Sequence, residues 1–211
     1  MLMRFLLSLV AFGALVLGQP IDPARLDLVH VKAERADYKG SPAVKVTETH
    51  SGDALAVVKG STFHNGVIDV DVAGTVGKDA PEGSRGFIGL AFRVQTGAGK
   101  YEAFYIRPTN GRSTDQLRRN HSTQYISTPD WPWERLRKES PGAYESYADM
   151  LEGEWTHLRI VVKGTNAELY VGGAAQPTLV IHDLKQGDVS GGVALWVGPG
   201  TVGYFKDLKI Q

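Results

Sequence analysis

Cysteine is absent from the 211 residues, so no disulfide can form and the fold must be held by its core. A basic excess is missing as well. The 23 Lys and Arg balance 23 Asp and Glu, for a net charge of zero, whereas a nucleic-acid binder carries a basic stripe. Beyond residue 18 no apolar run is long enough to span a bilayer. Heptads, long amphipathic helical patterns and strand–helix alternation are all lacking, which excludes coiled coils, bundles and doubly wound sheets. His50, His64, His121, His157 and His182 are scattered without metal-ligand spacing, and no D-x-D-x-D-G calcium loop occurs. Gly97-Ala98-Gly99-Lys100 lacks the upstream Gly and following Ser or Thr of a phosphate loop. No metal and no cofactor are expected.

What is present begins with a leader. Arg4 supplies a positive start, Phe5–Leu17 an apolar stretch, and Val16 and Gly18 the small residues of a cleavage site before Gln19. This pattern predicts a secretory signal over residues 1–18 and a secreted or periplasmic mature chain, 19–211, without stable membrane insertion. The mature chain has the length of one all-β domain.

Its rhythm is that of short strands. Expected strands are Leu28–Ala33, Ala43–Thr49, Ala54–Val58, Thr62–Val72, Gly86–Gln95, Lys100–Arg107, Trp155–Lys163, Asn166–Val171, Pro177–His182, Gly191–Val197 and Val202–Ile210. Turns such as Lys39-Gly40-Ser41-Pro42 and Gly198-Pro199-Gly200 separate them. Within Thr62–Val72, Ile68, Val70 and Val72 share a core face while Asp69 and Asp71 face away. Ala73–Arg85 reads as a mobile loop. In Gly86–Gln95, Gly89, Ala91 and Arg93 lie opposite Ile88, Leu90, Phe92 and Val94. A hairpin with Lys100–Arg107 would bring Arg93, Tyr105 and Arg107 onto one surface, with room above the small residues. The fold class is therefore all-β, a two-sheet antiparallel jelly-roll sandwich.

One stretch breaks the rhythm. Pro108–Gly153 reads as a long polar insert, with a short helix around Trp133–Lys138; loops of that length are functional or disordered. Its planar polar groups, Arg118, Arg119, Asn120, Gln124 and Tyr125, suit vicinal sugar hydroxyls, and Trp131 offers an aromatic face for a ring. Arg93, Tyr105 and Arg107 would form the floor beneath the Asp115–Tyr125 segment. Trp133 is expected to be structural. Arg93 and Arg107 have an equally good alternative as partners of Asp69, Asp71 or the insert. Asp115, His121 and Glu145 are the candidate catalytic groups. The competing expectation is a closed loop with its own small core.

Several stretches resemble the concanavalin A-like lectin and glucanase superfamily. They are Phe63-His64-Asn65-Gly66-Val67-Ile68-Asp69-Val70, the Gly86–Arg93 run with Tyr101-Glu102, Trp155–Ile160 with Ala167–Val171, and Gly191–Trp196 with Tyr204–Leu208. Within it the order of runs is most similar to laminin-G-like domains and the 3-keto-disaccharide hydrolase domain of exported bacterial proteins. The resemblance implies a saccharide held by one sheet and its loops. The two-Glu strand of laminarinases has no counterpart, since Val67–Val72 carries Asp69 and Asp71 without Glu. The expected function is binding of a carbohydrate or glycoconjugate. The alternatives are a glycoside-cleaving hydrolase or lyase and a laminin-G-like protein-interaction module.

Overall fold

A computed structural model describes residues 21–50 and 54–211. The expected signal and its cleavage point lie outside these residues, as does the tip of the turn expected at His50–Asp53. In chain order the strands are β1 Leu26–Val29, β2 Val31–Tyr38, β3 Ser41–Glu48, β4 Ala54–Val58, β5 Gly66–Val76, β6 Ile88–Val94, β7 Tyr101–Ile106, β8 Thr123–Thr128, β9 Glu145–Ser146, β10 Thr156–Lys163, β11 Asn166–Val171, β12 Leu179–Ile181, β13 Gly192–Val197 and β14 Thr201–Ile210. They form two seven-stranded sheets, β1-β4-β13-β6-β7-β8-β9 and β12-β11-β10-β5-β14-β3-β2. Neighbouring strands run antiparallel throughout.

Period-two alternation determines which face enters the core. In β10, Thr156, Leu158, Ile160 and Val162 are buried while His157, Arg159 and Lys163 are not. The outward residues of β5 meet those of β10 in register, Asp69 opposite Arg159 and Asp71 opposite His157. His157 Nδ1 stands 2.7 Å from Asp71 Oδ1, and Arg159 Nη1 3.3 Å from Asp69 Oδ1. These aspartates are engaged within their own sheet and not by Arg93 or Arg107.

Two expectations about connections change. β5 continues through Ala73, Gly74, Thr75 and Val76, each paired with β14, into the stretch expected as a loop. Gly74 permits this: a Cβ there would lie 2.3 Å from the Gly86 carbonyl oxygen. The polar stretch after β7 also contributes to the sheet. It contains helix α1, Gln116–Asn120, then β8, helix α2, Trp133–Glu139, and β9. β8 pairs with β7 along its whole length, from Tyr101 opposite Thr128 to Ile106 opposite Thr123. Two Thr, a Tyr and an Ile in six residues suit a pleated, buried surface. The polar residues Gln124 and Ser127, one on each face, hide that pattern in the sequence.

Arg93 is displaced from the surface expected for it. Its φ is +52°, and the ladder between β6 and β13 slips between Gly192 and Ala194, a bulge that re-aims the side chain. The guanidinium is fully buried and donates to the carbonyl oxygens of Gly187 at 2.6 Å, Gly164 at 2.8 Å and His64 at 2.9 Å. It ties three loops together at one end of the sandwich, away from Tyr105 and Arg107. Arg93→Met removes the buried donor that those three carbonyls share. The expected loss is about 3 kcal/mol of stability in chemical denaturation, with ligand binding unchanged.

Candidate functional site

Inner and outer faces of the first sheet are set by the ladder. Ile88 and Val197 pack toward Gly203 of the opposite sheet, so the residues next to them along β6 and β13 face outward. One outward row crosses the sheet: Trp196 opposite Gly89, Gly89 opposite Tyr105, Tyr105 opposite Gln124, and Gln124 opposite Glu145. With no side chain at Gly89, the Trp196 and Tyr105 rings stack with centroids 4.6 Å apart. The space expected above Gly89 is thus taken by the protein's own aromatics, which form the floor of the site.

Arg107 stands at the end of this floor. It is only 5% exposed, and three neutral acceptors hold it: Tyr105 Oη at 2.9 Å, the His121 carbonyl oxygen at 2.9 Å and Gln124 Oε1 at 3.2 Å. Its guanidinium carbon lies 5.0 Å from the Tyr105 ring centroid and 5.9 Å from those of Phe87 and Trp133. Trp133 opens α2 and Arg137 follows one turn later on the same helix face. The Arg137 guanidinium stacks 4.6 Å from the Trp133 ring. Arg137 also grips Glu145, with Nη2 2.6 Å from Oε2 and Nε 3.1 Å from both carboxylate oxygens.

These groups surround a cleft of about 230 Å³ lined by Arg85, Phe87, Arg107, Arg118, His121 and Trp133. His121 and Arg137 are shared with a wider neighbouring hollow that reaches Asn120, Glu145 and Tyr147. His121 ends α1, and its Nδ1 lies 2.7 Å from Glu145 Oε2 in a geometry that makes no hydrogen bond. Burial holds the imidazole below its ordinary pKa of 6.5, against the pull of Glu145 and with the help of Arg137 and Arg107. A roomy hollow on the other sheet, near Asp22, Arg35 and Lys206, has its Arg35 already paired to Asp22, and its one aromatic residue, Phe205, is fully buried.

Of the residues expected at a site, Tyr105, Arg107, Gln124, His121, Glu145, Asn120 and Arg118 gather at or beside this cleft. Gln124 is buried and serves as a strut, donating also to the Tyr125 and Tyr144 carbonyl oxygens. Arg119 sits to one side, its guanidinium over the Tyr147 ring. Tyr125 is corrected. Its side chain points to the core, where its hydroxyl donates to buried Glu102 and accepts from the Lys185 N–H at 2.8 Å. Asp115 is corrected too: it caps α1, accepting from Leu117 N–H at 2.8 Å and Arg118 N–H at 3.2 Å. Trp131 is no roof to this cleft; Arg135 and Lys185 lie 3.7 and 4.4 Å from its ring on another flank.

Sequence reasoning missed Arg85, Phe87 and Arg137, and it assigned Trp133 to structure. In fact Trp133 is 38% exposed at the mouth of the cleft. The usable signal was the four-residue spacing of Trp133 and Arg137 on an expected helix. Among the described residues, no cluster of three or more His, Asp or Glu side chains could hold a metal, and no helix is long and apolar enough to cross a membrane.

No family model and no curated protein matches the chain. Solved structures do. The carbohydrate-binding module CBM66 from Bacillus subtilis superposes with a TM-score of 0.57 at 12% identity, covering 86% of this chain and 95% of that one. A protein of unknown function with a galectin-like fold from Bacillus subtilis gives 0.48 at 11% identity over 91% and 95%. A galectin from Caenorhabditis elegans gives 0.38 at 14% identity over 76% and 93%. At such identities the first of these shows a shared β-sandwich fold and nothing finer.

The placement of His121 sets its titration. Its folded pKa lies below that of the unfolded chain, so the unfolded state takes up the proton first as pH falls below 6.5. His121 therefore adds no stability loss above that pH and weakens the fold as pH drops toward its folded pKa. A nuclear magnetic resonance titration should give a midpoint below 6.5, and Glu145→Gln should lower it further.

Proposed function

We propose that the chain is an exported carbohydrate-binding β-sandwich of the concanavalin A-like kind, with its site at the cleft under Trp133. The observation that carries this reading is the pairing of an exposed indole with fixed hydrogen-bond donors. Trp133 is 38% exposed beside the guanidiniums of Arg107 and Arg137. An indole face suits the C–H face of a sugar ring, and guanidinium forks suit vicinal hydroxyls. A site of few polar groups held rigidly against aromatic walls is a general form of small-molecule recognition. The likeness to a carbohydrate-binding module supports the choice of ligand. Export is part of the proposal and rests on the signal pattern of residues 1–18.

Glycoside cleavage is the second reading, favoured by the approach of His121 to Glu145 in a cleft. Against it, Glu145 is the only carboxylate among the described residues lining the two clefts, and Arg137 holds it. Glycosidases characteristically use two carboxyl groups, about 5–9.5 Å apart. Asp115 is spent on capping a helix.

Glycan-array binding followed by calorimetry tests the site. Trp133→Ala should weaken the best ligand at least tenfold, about 1.4 kcal/mol, with little change in melting temperature. Trp131→Ala should leave affinity unchanged. Mass spectrometry after overnight incubation should return the ligand intact; a new product that disappears with His121→Ala would replace binding by catalysis. Failure of every glycan to bind would sink the carbohydrate reading.

A further inference from the structure

Among the described residues some arginines have a carboxylate partner and others, Arg25 and Arg119 included, have none. Arg112 is matched by Asp149 at 2.7 Å, Arg135 by Glu139 at 2.9 Å, Arg159 by Asp69 at 3.3 Å and Arg137 by Glu145 at 2.6 Å. Three arginines that line the 230 Å³ cleft are different. Among the described residues no carboxylate comes within ion-pair distance of Arg85, Arg107 or Arg118. Arg85 donates only to the neighbouring Ser84 carbonyl oxygen at 2.8 Å. Arg118 reaches Asn110 Oδ1 at 3.4 Å, and its buried Nε has no acceptor. Arg107 is almost fully buried on neutral acceptors alone.

That arrangement is costly without a ligand. A buried cation loses its hydration and recovers the loss only through a close counter-charge and good hydrogen bonds. Here the one carboxylate lining the two hollows, Glu145, is occupied by Arg137. The chain as a whole is neutral, so an overall positive charge does not account for the cluster. Hydroxyl recognition alone does not call for several guanidiniums without counter-ions. An oxyanion does, because each guanidinium fork matches two of its oxygens.

We propose that the cleft selects an acidic saccharide, its oxyanion lodged among Arg85, Arg107 and Arg118 while the sugar ring lies against Trp133. This deepens the carbohydrate reading and rests on it. The oxyanion is the carboxylate of a uronic acid or a sulfate ester on the ring. Arginine keeps its charge across the accessible pH range, so binding depends on ionic strength more than on pH.

The test is calorimetry on the purified protein with five probes. They are oligogalacturonate, the same oligosaccharide with its carboxylates methyl-esterified, a heparin-derived oligosaccharide, a neutral oligoglucan and sodium sulfate. At least one acidic oligosaccharide should bind, and which one does tells carboxylate from sulfate. The esterified and neutral probes should bind at least tenfold more weakly, and added salt should weaken the acidic ligand. Arg107 is buried, and its replacement risks the fold, so half-buried Arg118 and Arg85 carry the mutational test. Arg118→Ala and Arg85→Ala should each cost about tenfold in affinity for the acidic probe at an unchanged melting temperature. Equal binding of the esterified or neutral probes would overturn the acidic selection while leaving the carbohydrate reading in place. Sodium sulfate binding as tightly as the oligosaccharides would overturn the sugar component. Absence of binding by every oligosaccharide would overturn both.

Discussion

A guanidinium taken almost wholly out of water has to be given acceptors, and Arg107 takes them from three separate places. Tyr105 offers its hydroxyl from the strand that leads into Arg107, Gln124 its amide oxygen from the next strand, and His121 its carbonyl oxygen from the end of α1. Asn110 donates to that same His121 carbonyl at 3.2 Å. One buried charge therefore fixes β7, β8 and α1 relative to one another. The aromatic walls follow, since Phe87, Tyr105 and Trp133 all lie around the guanidinium. Trp133 is held in turn by Arg137, and Arg137 by Glu145 on β9. The candidate site is a chain of charge-assisted contacts that begins at one desolvated cation.

The scaffold makes this possible by covering both faces of the first sheet. Every residue of β6 and β7 is buried, although only one face of each looks into the sandwich. The other face is closed by Trp196 stacked on Tyr105 and by the segment from α1 to β9. Polar groups placed there are dry, so each hydrogen bond is worth more and each unpaired group costs more. Glu102 illustrates the same rule on the inner side. Burial raises its pKa, and it accepts from the Tyr125 hydroxyl and from the Gln186 N–H at 2.7 Å. In that way it joins β7 and β8 to the loop before β13.

Much of the fold was legible because alternation is local. Ile68, Val70 and Val72, or Leu158, Ile160 and Val162, declare their face within a few residues. The helix at Trp133 was legible for the same reason. β8 was not, because Gln124 and Ser127 are polar side chains buried by partners distant in the chain, Arg107 and Tyr144 among them. The site was legible in part. The Asp115–Tyr125 segment was expected over Arg107, which brings His121 to it, but the approach of Glu145 depends on β8 and β9. The fate of Arg93 was not legible, because a single residue at positive φ reverses the side of the sheet it serves. Nor was the division of labour between Trp131 and Trp133, two residues apart and turned to different flanks by the start of α2.

The sequence by itself determined the class of fold, the absence of disulfides and the aromatic and cationic material from which a site could be made. These depend on composition and on contacts between near neighbours. Tertiary structure alone decided which arginines have a carboxylate and which do not. Arg137 and Arg118 are alike as residues, but one faces Glu145 across the sheet edge and the other faces a cleft without an acid. Electrostatic pairing falls off over a few ångströms, and distances of that order are set only when strands far apart in the chain are brought into register.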